Sequence, residues 1–90
     1  MKTLHVKVNN VNGLTSRLAA ELVAEANKHK SNITLVVDPN NTQEQADLKS
    51  IMNVFTISIP SGMEFDIKFD GADEAEAMES FSHLIAELPL

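Results

Sequence analysis

Residues 3–8, Thr-Leu-His-Val-Lys-Val, alternate between two kinds of side chain. Leu4, Val6 and Val8 fall on one side, and Thr3, His5 and Lys7 on the other. A period of two predicts a strand with one face buried. The next residues, Asn9 to Gly13, are rich in Asn and end in Gly, which tolerate positive φ, and predict a turn. From Ser16 the period changes. Leu18, Ala19, Leu22, Val23 and Ala26 recur at helical spacing, so a helix runs to about Asn27–Lys30. Lys28, His29 and Lys30 then fall in its last turn, where the macrodipole favours positive charge. Either Thr15 or Ser16 serves as its N-cap.

The second half repeats these patterns. Ile33, Leu35 and Val37 share one face of a second strand, and residues 38–41, Asp-Pro-Asn-Asn, read as a turn. Residues 42–48 read as a short edge strand. Ser50 opens a short helix of about two turns through residue 57, and residues 60–64 form a turn. Met63, Phe65, Ile67 and Phe69 alternate with Glu64, Asp66 and Lys68, a fourth strand. A final helix follows, with Asp73 and Glu76 as an acidic capping box. Its buried stripe is Ala77, Met78, Phe81, Leu84, Ile85 and Leu88. The order β-α-β-β-α-β-α, with one apolar face per strand, predicts an α+β fold of two layers. The opposite sheet face, with His5, Lys7, Thr34, Glu64, Asp66 and Lys68, meets water.

Composition narrows the classes of function. Ninety residues suffice for one domain, 1–90, and an apolar fraction of 43% argues against disorder. Four Phe with no Trp or Tyr make the core mostly aliphatic. The lack of Cys removes disulfides, thiolate metal sites and thiol catalysis, and fits a reducing, cytoplasmic setting. A formal net charge of −6 disfavours direct nucleic-acid binding, which rests on Lys and Arg. No apolar run approaches the ~20 residues of a membrane span, and no signal-peptide pattern opens the chain.

The chemistry concentrates at the start of the first helix. A helix N-terminus offers unpaired N–H groups and partial positive charge, which suit a phosphate, and Arg17 would add a bidentate donor. Thr15, Ser16 and Arg17 therefore form a candidate anion site, while a capping hydroxyl beside a solvated Arg17 is the plainer reading. His5, His29 and His83 read as solvated side chains without metal-ligand spacing, so neither metal nor cofactor is expected.

Residues 12–28, NGLTSRLAAELVAEANK, are similar to the opening of the HPr family, the histidine phosphocarriers of the bacterial phosphotransferase system. That family reads Gly-Leu-His-Ala/Thr-Arg-Pro-Ala here, and the match is Gly13, Leu14, Arg17 and Ala19. Residues 48–67, LKSIMNVFTISIPSGMEFDI, resemble the segment around the family's regulatory serine, and residues 70–88 its last helix. The resemblance implies an open-faced β-sandwich, a four-stranded antiparallel sheet with three helices on one face, and no enzymatic activity. The segment from Asp38 to Asp47 is a few residues longer than usual, Asn53 replaces a frequent Gly or Lys, and Phe55 is bulkier than the usual residue.

Two departures bear on function. Thr15 stands where the family has its phosphoryl-accepting histidine, and Leu18 where it has proline. An imidazole nitrogen is nucleophilic at neutral pH and forms a labile P–N bond. A threonine hydroxyl needs an adjacent base, and its phosphate ester would be too stable to relay. The chain therefore resembles the regulatory branch of the family that lacks the active histidine and serves catabolite repression, although that branch keeps the proline. This implies phosphorylation of Ser50 by HPr kinase/phosphorylase, then binding to a LacI-type catabolite control protein. Arg17 and phospho-Ser50 would share one interaction face, with Ala20, Ile51, Met52, Val54 and Phe55 as partner contacts. Alternatives are an unphosphorylated binding module that docks to enzyme I, permease domains or another protein, and a carrier with a displaced histidine.

Overall fold

A computed structural model describes residues 1–37 and 44–90. The elements follow the order β1 (Lys2–Lys7), α1 (Ser16–Ala26), β2 (Asn32–Val37), β3 (Glu44–Asp47), α2 (Ile51–Val54), β4 (Glu64–Asp70) and α3 (Glu74–Glu87). The turn expected at 38–41 and the first two residues of the expected edge strand lie outside the described residues.

The strands form one antiparallel sheet in the order β1-β4-β2-β3. Register converts the alternation into rows. Val6, Phe65 and Val37 line up across three strands, and Leu4, Ile67, Leu35 and Ala46 across four. Because side chains alternate faces, these rows form a continuous apolar surface that helices must cover. Ala19, Leu22 and Ala26 of α1 and Ala77 and Phe81 of α3 are buried in the core it forms. Phe81 meets Phe69 edge-on, with centroids 5.4 Å apart. Met78, Leu84, Ile85 and Leu88 pack at the margin of the core, half-buried. The reverse face carries His5, Asp66, Val36 and Gln45 in one row and Thr3, Lys68, Thr34 and Asp47 in the next. Val36 is the exception there, buried on the polar side.

Three expectations are corrected. First, α1 ends at Ala26 with Asn27 as C-cap, so Lys28, His29 and Lys30 occupy the following turn and not the last helical turn. Second, α2 is one turn long. The Thr56 hydroxyl donates to Asn53 O at 2.6 Å and Ile57 N donates to Val54 O, a tighter i→i+3 pattern that ends the helix. Third, Asp73 takes the N-cap position of α3 but makes no side-chain cap. Its carboxylate accepts instead from the backbone N–H groups of Lys30 and Ser31 and from the Ser31 hydroxyl. No helix among the described residues is long and apolar enough to cross a membrane.

Candidate functional site

The approach to α1 is shaped by its backbone. Asn12 N donates to Asn10 Oδ1, and Gly13 N to Asn10 O, a tight turn. Gly13 has φ +71°, and a Cβ there would overlap Ile59 O. That carbonyl is already drawn in by Leu14 N at 2.9 Å. Only glycine fits, so the turn is pinned to the segment before β4.

Thr15 resolves the cap. Its backbone is extended (φ −75°, ψ 166°), and its Oγ1 accepts from Leu18 N at 3.3 Å. Ser16 and Arg17 are the first two helical residues, and both are exposed. Among the described residues Arg17 has no ion-pair partner within 4.0 Å. Thr15 forms a ridge between two hollows. One, of about 490 Å³, is lined by Leu14, Ser16, Ala19, Phe55 and Ile57 among others. The other, of about 250 Å³, has Asn10, Arg17, Glu21, Leu88 and Pro89 in its wall. The site offers the start of a helix, one guanidinium and the hydroxyls of Thr15 and Ser16, and among the described residues no basic group hydrogen-bonds to the Thr15 oxygen, whose partner is Leu18 N.

The histidines lie elsewhere. His5 is exposed on the sheet's polar face, where Nδ1 meets Asp66 Oδ1 at 2.6 Å and Nε2 meets Glu64 Oε1 at 2.8 Å. The Glu64 carboxylate, then that of Asp66, pushes its pKa above 6.5, and His5 lowers that of Glu64 in return. His83 is exposed on α3, 3.9 Å from Glu79. His29 corrects the expectation of a solvated ring: its side chain is only 9% exposed. The ring lies 3.2 Å from Glu25 Oε2, 3.8 Å from Asp73 Oδ2 and beside Phe81. It is held beyond the far end of α1 from Thr15. The Ser31 hydroxyl, then the Lys30 and Ser31 amides, hold the Asp73 pKa down at about 2.

Ser50 is the N-cap of α2, and its hydroxyl accepts from Asn53 N at 3.3 Å. Among the expected partner contacts, Met52 is 76% exposed and Phe55 53%, and Ala20 is also exposed. Ile51 is half-buried. Val54 is not a surface residue: at 2% exposure it anchors α2 in the core. Arg17 and Ser50 are not brought together. Lys49 lies against Asn27, so the two residues mark opposite ends of α1, about 15 Å apart along its axis. Sequence reasoning missed the polar frame around Ser50, made by Asn27, Lys49 and Asn53. Its one readable signal is Ser-x-x-Asn at 50–53, but here the Asn53 side chain accepts from Asp47 N at 2.8 Å.

The family model described as PTS HPr component phosphorylation site matches residues 2–87. Phosphocarrier protein HPr of Mycoplasma capricolum is 37% identical over 78 residues, covering 87% of this chain and 83% of that protein. The HPr-like protein Crh of Bacillus subtilis is 33% identical over 82 residues, covering 91% and 92%. A solved structure of the histidine-containing phosphocarrier protein of Mycoplasma superposes with a TM-score of 0.86 at 32% identity, covering 96% of this chain and 93% of that one. The four-stranded sheet and its three helices are thus shared with phosphocarriers, and the chain belongs to the HPr family.

Proposed function

We propose that this protein is a regulatory member of the HPr family that does not relay phosphoryl groups and is phosphorylated at Ser50. The observation that carries the reading is Thr15: an alcohol occupies the position of the family's phosphoryl-accepting histidine, and its oxygen caps α1. No histidine is placed to substitute. His29 lies at the opposite end of α1, and His5 is gripped by two carboxylates on the sheet's other face. Ser50, in contrast, presents a hydroxyl at the start of α2, beside exposed Met52 and Phe55. A phosphate there adds about −1.5 to −2 charge next to an apolar contact surface, a change a partner can read. The likeness to Crh supports the same assignment. By this reading the partners are HPr kinase/phosphorylase and a LacI-type catabolite control protein.

The test is incubation with HPr kinase and ATP, read by intact mass. One phosphate is expected on the wild type and none on Ser50→Ala. A parallel incubation with phosphoenolpyruvate and enzyme I should leave the wild type unlabelled, and acid-labile label on any histidine would sink the reading. The exposed Met52, and the exposed Phe55 in the wall of the 490 Å³ hollow, also favour a second reading, a docking module for phosphotransferase proteins that needs no phosphorylation. Failure of a competent kinase to modify Ser50 would select it.

A further inference from the structure

Asn27 makes one amino group serve two carbonyls. Its Nδ2 donates to Val23 O at 2.9 Å, which closes α1, and to Lys49 O at 3.1 Å, which crosses to the residue before Ser50. Lys49 is fixed at two more points. Its backbone N–H donates to Asp47 Oδ1 at 3.0 Å, and its Nζ donates to His29 O at 2.7 Å. Ser50 N donates in turn to Asp47 O at 3.0 Å. The peptide on the N-terminal side of Ser50 is thus tied to the end of α1 and to the end of β3, while the Ser50 hydroxyl accepts from Asn53 N and donates to no partner among the described residues.

We infer that Asn27 is a positioning residue for phosphorylation of Ser50, setting the Ser50 oxygen relative to α1. The inference rests on the regulatory reading above. A surface serine in a flexible loop can adjust to a kinase. This one sits in a turn held from both sides, so the modifying enzyme must accept the hydroxyl where the fold presents it. Transfer to an oxygen requires close approach and alignment, and small displacements are costly in rate. Asn27 fits the task chemically because a primary amide supplies two hydrogens from one nitrogen: one holds the side chain on Val23 O, which also accepts from Asn27 N, and the other reaches Lys49 O. Alanine supplies none. Aspartate would turn an acceptor oxygen toward two acceptors.

Positioning and docking separate kinetically. Asn27 is not among the exposed apolar residues of α2, so its loss should act on kcat and leave KM nearly unchanged. The experiment measures kcat and KM for phosphorylation of the wild type, Asn27→Ala and Asn27→Asp by HPr kinase with ATP, each shown to be folded by its amide spectrum. The expected result is a fall in kcat of about fivefold to tenfold for Asn27→Ala with KM within about twofold, and at least as large a fall for Asn27→Asp. Asn27→Gly, which helix ends accept readily, removes the same donors and replaces the alanine variant if that one unfolds. An unchanged kcat in the donor-free variants, or a loss confined to KM, overturns the inference and leaves the regulatory reading standing. Absence of phosphate on the wild type itself removes the regulatory reading and this inference with it.

Discussion

At Thr15 one oxygen decides between two uses. As N-cap it satisfies Leu18 N, one of the donors a helix start leaves unpaired. As nucleophile it would need a base bonded to it, and among the described residues its oxygen is bonded to Leu18 N instead. Thr15→Ala should therefore destabilise the fold by about 1 kcal/mol, while Ser16→Ala, one residue further on, should stay within about 0.5 kcal/mol. Urea unfolding of the two variants checks the assignment, and equal losses would refute it. Thr15→His tests the chemistry: label from phosphoenolpyruvate and enzyme I should appear on the variant and not on the wild type. The pair of adjacent hydroxyls was legible in the sequence as a cap, but not which of them caps. That choice rests on the extended backbone at residue 15, which follows from the turn pinned by Gly13 against Ile59. The sequence marks Gly13 as a turn residue but does not name the carbonyl it approaches.

Elements were read with most success where the pattern was periodic and faced the core. The alternation of β1, β2 and β4 predicted which residues turn inward, and the α1 and α3 stripes pointed to the helix faces that are buried. Ends were read less well because they are decided by distant partners. The spacing Asp73-x-x-Glu76 reads as a capping box, yet the turn between α1 and β2 offers Asp73 two amides and a hydroxyl. Approach is close enough that a Cβ on Gly71 would lie 2.7 Å from Ser31 Oγ. The reach-back at this helix comes instead from Glu74, whose Oε1 accepts from Gly71 N at 3.2 Å. The clamp has a pH signature. The Asp73 carboxyl is held at about 2 in the fold against an ordinary 3.8. Its contribution is therefore complete above about 3.8 and is lost as pH falls from there toward 2. Thermal unfolding between pH 5 and pH 2 should show this acid loss in the wild type. Asp73→Asn should start lower and show a shallower acid arm, and an identical slope in both would place the acid sensitivity elsewhere.

For the whole molecule, the distribution of phenylalanines separates stability from recognition. Phe65, Phe69 and Phe81 are fully buried, and Phe81 brings α3 onto the sheet through Phe69. Phe55 stands 53% exposed at the end of α2. All four are equivalent in composition, and only the surrounding periodicity distinguishes them: Phe65, Phe69 and Phe81 fall on inward positions of regular elements, while Phe55 follows a helix too short to show a period. Removing the Phe81 ring leaves a cavity where helix meets sheet, at a cost of about 3–5 kcal/mol. Against a total stability of about 5–15 kcal/mol for a domain of this kind, that is a large share, and the melting temperature should fall by at least about 12 °C. Phe55→Ala should move stability by no more than about 0.5 kcal/mol and weaken partner binding instead. Thermal melts of the two variants, with affinity for the Ser50-phosphorylated protein's partner measured in parallel, set the two roles apart. A Phe55→Ala protein that melts as low as Phe81→Ala would show that the exposed ring belongs to the core, and the docking surface would then have to be sought around Met52 alone.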